Sequence, residues 1–162
     1  RRQRQMCIRD RVRIDEVLIK AHSVVLHQNP DYKVELAFAE LPEDENECMV
    51  FGNVHLLQSA FKNIIENGCK YSPDNRVKSD LLFNGSVTEI LFTNKSDFLP
   101  TDEIEKLFEP FYRSSNAENK PGVGLGLTLT RRIISLHKGT LTLRFDPEKG
   151  TVIHIVLPTL KK

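Results

Sequence analysis

A stretch from about Asn53 to Tyr71 places Leu56, Leu57, Ala60, Phe61, Ile64 and Ile65 at intervals that return to one face of an α-helix. A helix with a single apolar stripe is not stable alone in water, so the rest of the chain must supply a surface that covers the stripe. Two more segments carry the same demand. Ile14, Val17, Leu18, Ala21, Val24 and Val25 repeat at helical spacing up to the Asn29-Pro30 breaker. A third helix is expected from about Gly124 to His137, stopping at Gly139, a residue suited to a left-handed cap.

The covering surface is written in period two. Val34, Leu36 and Phe38 alternate, and an acidic loop from Glu40 to Glu47 leads to a short apolar run at Met49 to Phe51. Val77 to Phe83 and Val87 to Thr93 flank Asn84-Gly85, a dipeptide that tolerates the positive φ of a tight hairpin. Thr140 to Phe145 and Thr151 to Leu157 form a second hairpin through Pro147 and Gly150. A short acidic helix at Thr101 to Leu107 opens an aperiodic segment, Phe108 to Gly122, of the length that functional lids have. The fold class expected is α+β: a two-layer sandwich of a mixed, mostly antiparallel sheet packed on three helices.

At 162 residues and 40% hydrophobic content the chain suits one domain, taken here as residues 12–162. Residues 1–11, rich in arginine and glutamine, read as a linker or a cloning remnant. A net charge of +1 argues against binding nucleic acid or a membrane surface. Cys7, Cys48 and Cys69 show no CxxC spacing, which points away from disulfides or zinc and toward the cytoplasm. No apolar run approaches the roughly 18 residues that span a bilayer, so a membrane anchor of any parent protein is expected outside this chain.

Two places carry chemistry. On the second helix Asn63, Asn67, Lys70 and Tyr71 share a face, so an edge that begins as core turns polar toward its C-terminal end. Buried amides there need partners, supplied by a neighbouring loop or by a ligand. Asn67 offers a neutral oxygen that magnesium accepts, and Lys70 can meet a phosphate as a point charge. The second place is Gly122-Val123-Gly124-Leu125-Gly126-Leu127, between the long loop and the third helix. Its glycines let backbone amides approach a phosphate, and the following helix presents free N–H groups. The spacing is neither a P-loop nor a dinucleotide fingerprint.

In this order and at these separations the two places resemble the catalytic, ATP-binding domain of sensor histidine kinases, over about Val12 to Pro158. The fold that the resemblance implies is the Bergerat-type ATP-binding sandwich. Asn63-Ile64-Ile65-Glu66-Asn67-Gly68-Cys69-Lys70-Tyr71-Ser72 looks like the family's N box, whose second asparagine, here Asn67, coordinates magnesium. Phe108-Glu109-Pro110-Phe111-Tyr112-Arg113 looks like the F box, which makes Phe108 and Arg113 candidates for contact with ATP. Gly122, Val123, Gly124, Leu125 and Gly126 fall in the G2 box of the ATP lid.

One segment departs from the family. The G1 box usually reads Asp-x-Gly-x-Gly, with the aspartate accepting from the adenine amino group, and here its place is held by Asn94-Lys95-Ser96-Asp97-Phe98. The Asn94 carbonyl can still accept that bond. Loss of both glycines restricts the backbone and is expected to narrow the base pocket.

In related ATPases of gyrase, mismatch-repair and heat-shock-chaperone type, a glutamate one turn before the metal asparagine activates water. Here that position is Asn63, and an amide cannot act as a general base. No catalytic residue is therefore assigned in this chain. None of His22, His27, His55, His137 or His154 is followed by an acidic residue, so the phosphoacceptor is expected on upstream dimerisation helices. The resemblance implies ATP and Mg2+ as cofactors, and those helices and a response regulator receiver domain as partners. A degenerate nucleotide-sensing or partner-binding module, or an anti-sigma-factor-type serine kinase, are the alternatives.

Overall fold

The structure is a computed structural model and describes residues 9–109 and 126–162. Strand β1 (Asp10–Arg13) runs into helix α1 (Ile14–Gln28), which buries Ile14, Val17, Leu18, Ala21 and Val25. Asn29 stops that helix, its side-chain Nδ2 and its backbone N–H both donating to the Val25 carbonyl. Strand β2 (Lys33–Phe38), a 3-10 turn at Glu45–Cys48 and strand β3 (Met49–Gly52) lead to helix α2 (Val54–Tyr71). Strands β4 (Arg76–Asn84) and β5 (Val87–Asn94) follow, then helices α3 (Thr101–Lys106) and α4 (Gly126–Leu136), and strands β6 (Thr140–Asp146) and β7 (Gly150–Pro158).

The main sheet has the order β2-β4-β5-β7-β6, with β2 parallel to β4 and the other pairs antiparallel. Alternation along the strands makes one face apolar: Val77 and Leu81, Ile90 and Phe92, Ile155 and Leu157 are buried. Helices α1, α2 and α4 cover that face, and Phe61 of α2 meets Phe92 with ring centroids 6.2 Å apart. Burying a side chain of this size contributes about 2 kcal/mol, so the stripe of α2 does much to fix the sandwich. The opposite face carries Lys78 paired with Asp80 and His154 paired with Glu89. The α+β sandwich matches the sequence expectation.

Three details differ. Asp10 and Arg11, read as part of the 1–11 linker, belong to β1 and pair with Gly52 and Phe51, making a two-stranded sheet with β3. Leu56, counted in the buried stripe of α2, is 40% exposed. The left-handed residue after α4 is Lys138 (φ 61), not Gly139. Gly139 answers to a different constraint, since a Cβ there would fall 2.5 Å from the Val156 carbonyl oxygen. The hairpin glycine is as expected: Gly85 (φ 67) opens the two-residue turn between Asn84 and Val87.

Candidate functional site

Helix α2 is the spine of the site. Asn53 starts it by accepting from the N–H groups of His55 and Leu56 at 3.0 and 3.1 Å, which satisfies two of the donors that a helix start leaves unpaired. Ser72 ends it, its hydroxyl donating to the Cys69 carbonyl and accepting from the N–H of Arg76. Between these caps Ala60, Phe61, Ile64, Ile65 and Cys69 are buried. Asn63, Asn67, Lys70 and Tyr71 are half-buried along the adjoining edge. Among the described residues no hydrogen-bond partner is recorded for the side chains of Asn63 and Asn67. The Lys70 ammonium lies 5.1 Å from the Tyr71 ring centroid, which steadies it over an aromatic face. Glu66 pairs with Lys62 at 3.3 Å.

The sheet meets α2 at Gly68. A Cβ there would lie 2.9 Å from Val77 Cγ2 and 3.5 Å from Asn94 Oδ1, so the absence of a side chain lets the end of β5 approach the helix. Asn94 donates from Nδ2 to the Lys95 carbonyl at 3.0 Å, which leaves Oδ1 as the atom facing Gly68. The segment Asn94 to Phe98 adopts no positive φ, so the two missing glycines cause no strain there. Close approach comes instead from Gly150 (φ 99) on β7, where a Cβ would fall 2.3 Å from the Asn94 carbonyl oxygen. Ser96 and Thr151 share a hydroxyl–hydroxyl bond of 2.7 Å, and Phe98, 70% exposed, packs edge-on against Phe145. Sequence reasoning missed that hydroxyl pair.

Phe108 packs against the core, with the Arg131 guanidinium 4.3 Å from its ring centroid and the Thr128 hydroxyl donating to its carbonyl. These contacts tie α4 to the chain that follows α3. Arg113, Gly122, Val123, Gly124 and Leu125 lie outside the described residues, and Gly126 is the first residue of α4.

Burial sets the charge states around the spine. It pushes the Cys69 thiol up to about 11, helped by the nearby Asp74 carboxylate, so this thiol stays neutral beside the polar edge. Burial also lowers the His137 pKa below that of a free imidazole. His137 Nδ1 contacts the Ile133 carbonyl at 2.8 Å, and Nε2 accepts from the Asn53 N–H at 3.0 Å. Only a neutral ring can do both. It therefore fastens the end of α4 to the start of α2. His22 is also buried with a lowered pKa, and His154 is held by Glu89. These three histidines have structural partners or surroundings.

Residues 52–161 match the family described as histidine kinase-, DNA gyrase B- and HSP90-like ATPase, and the chain belongs to it. The probable sensor protein PcoS of Escherichia coli is 40% identical over 101 residues, covering 60% of this chain and 22% of that protein. The signal transduction histidine-protein kinase/phosphatase MprB of Mycolicibacterium vanbaalenii is 29% identical over 93% of this chain and 31% of its own length. Among solved structures, a mycobacterial sensor histidine kinase MprB superposes with a TM-score of 0.78 at 28% identity, covering 96% of this chain and all of that one. The chain thus spans between about a fifth and a third of the curated relatives it matches. No helix among the described residues is long and apolar enough to cross a membrane.

Proposed function

We propose that this chain is the catalytic part of a sensor histidine kinase, binding Mg-ATP and delivering its γ-phosphoryl to a histidine on dimerisation helices of the same protein. The observation that carries this reading is the pair of half-buried amides, Asn63 and Asn67, with no recorded partner among the described residues, on the helix whose Gly68 faces Asn94 Oδ1. Asn94 accepts from the adenine amino group, and Lys70 meets a phosphate. The Asn67 amide oxygen fits magnesium as one neutral ligand of several, the rest being phosphate oxygens and water. Bound there, the metal neutralises charge on the phosphates. Arg113 and the Gly122 to Gly126 backbone complete the phosphate contacts in this reading.

Asn63 stands where hydrolytic relatives carry a glutamate, and its amide cannot take a proton from water. The γ-phosphoryl is thereby kept for a protein acceptor. From the histidine it passes to the receiver domain of a response regulator, and the domain works on the cytoplasmic side of a membrane-anchored sensor. The serine and phenylalanine at positions 96 and 98 favour one alternative, a degenerate module that no longer binds nucleotide.

Calorimetric titration with ADP and a non-hydrolysable ATP analogue, with and without magnesium, separates the two readings. Magnesium-assisted binding that Asn67→Ala weakens is the expected result. A folded chain that binds no adenine nucleotide would establish the degenerate module instead.

A further inference from the structure

The sequence holds two Asn-Gly dipeptides, Asn67-Gly68 and Asn84-Gly85. An asparagine followed by glycine is the pair most open to spontaneous loss of its side-chain amide, because glycine has no Cβ to crowd the backbone nitrogen that attacks it. By sequence alone the two are equal. The fold places them in opposite settings.

Asn67-Gly68 lies inside α2, where each N–H is committed to the carbonyl four residues back. Gly68 is buried, and a Cβ there would lie 2.9 Å from Val77 Cγ2, so the backbone cannot leave its helical path without lifting α2 from β4. Asn84-Gly85 lies at the tip of the β4–β5 hairpin, where Asn84 is exposed and pairs with Val87 across the turn. Gly85 has open space on its Cβ side, the nearest atom being Glu47 Oε1 at 3.9 Å. Thr159 holds this turn by its carbonyls, its hydroxyl donating to Gly85 and its N–H to Ser86. Among the described residues no acceptor is recorded for the Gly85 N–H. The Asn84 amide is tethered by an exposed bond from Nδ2 to the Glu89 carboxylate, which water can replace.

We infer that Asn84 is a deamidation site of the folded chain and that helix α2 withholds Asn67 from the same reaction. The deprotonated Gly85 nitrogen attacks Asn84 Cγ, and the new C–N bond closes a succinimide as the bond to Nδ2 breaks and ammonia leaves. Water then opens the ring at one of its two carbonyls, giving aspartate or isoaspartate, so one water is consumed and one ammonia released. The product puts a carboxylate where an amide donated to Glu89. The isoaspartyl form also adds a methylene to the backbone just ahead of the carbonyls that Thr159 holds. Reaction at position 67 would instead put a charge on the polar edge of α2, and there the helix prevents it.

The test is peptide mapping of the whole chain by mass spectrometry after storage at mildly alkaline pH, in buffer and in concentrated guanidinium chloride. In buffer, conversion at Asn84 should outrun conversion at Asn67 by about tenfold or more, since reaction inside a helix waits on local opening. In the denaturant the two rates should converge. Equal rates in buffer overturn the inference. So does an excess at Asn84 that persists undiminished in denaturant, which would trace the difference to flanking sequence and not to the fold. The product has its own readout: Asn84→Asp should melt at a lower temperature than the wild type, and the drop should be smaller when Glu89→Gln is already present. An Asn84→Asp chain as stable as the wild type overturns the consequence drawn for the hairpin.

Discussion

At the sheet end of the candidate site, Asn94, Ser96 and Thr151 are each held by a hydrogen bond, and Gly150 lets β7 pack directly on the backbone of Asn94 to Ser96. Along α2 the amides of Asn63 and Asn67 are half-buried with no recorded partner among the described residues. The first region is already organised by the fold, while the second is completed by what binds. In the proposed reading the sheet end meets a base, which is rigid and read by its edge, and so suits preformed groups. In the same reading the α2 edge meets phosphates and a metal, which bring their own charges and bonds, so its amides need no partner within the fold.

The sharpest way to break this comparison is Gly150→Ala. An added methyl group would meet backbone atoms at 2.3 to 2.9 Å in a residue already at φ 99. A loss of about 3 kcal/mol in urea denaturation is expected, combining overpacking with a disfavoured backbone. A change under about 0.5 kcal/mol would mean that the sheet end is not close-packed.

Asn67→Ala should do the opposite. With no recorded partner to lose, the fold should keep its stability within about 0.5 kcal/mol, while magnesium-dependent nucleotide affinity drops about tenfold, as for loss of a contact to a charged group. A variant that melts early but binds normally would reverse the roles of the two regions.

Removing the cap at the start of α2 tests whether the spine matters to both ends. Asn53→Ala should cost about 1 kcal/mol of stability by thermal melting, with nucleotide affinity unchanged among the molecules that remain folded.

A smaller effect concerns pH. His137 and His22 have pKa values lowered in the folded state by burial, so the unfolded chain binds more protons just below its own histidine pKa of about 6.5. Stability should be full above that pH and decline as pH falls through the window beneath it. His137→Gln should flatten the decline in a pH series of urea midpoints, because an amide does not titrate. An undiminished slope would place the acid sensitivity elsewhere.

Most of the framework was legible in the sequence because each helix and hairpin carries its own periodicity or turn residue. Strand β1 was not: Asp10, Arg11 and Arg13 show no alternation, and the strand exists because β3 offers it a partner. Nor was the exchange between Lys138 and Gly139. The glycine there is demanded by the carbonyl of Val156 on β7, which no local pattern announces. Asn63, Asn67, Lys70 and Tyr71 were visible because they interrupt an apolar stripe. The Ser96–Thr151 pair joins residues 55 apart in the chain, and only the register of β5 on β7 brings them together.

The parallel pairing of β2 on β4, the one such pair among the described residues, bears on how the domain is built up in time. The β4–β5 and β6–β7 hairpins can form locally, but β2 reaches β4 only after the chain has passed through β3 and the whole of α2. Closing so long a loop costs entropy before any contact repays it. The edge strand should therefore dock late in folding, after α2 has settled on the central strands, and the polar edge of that helix should be in place before the sheet is complete.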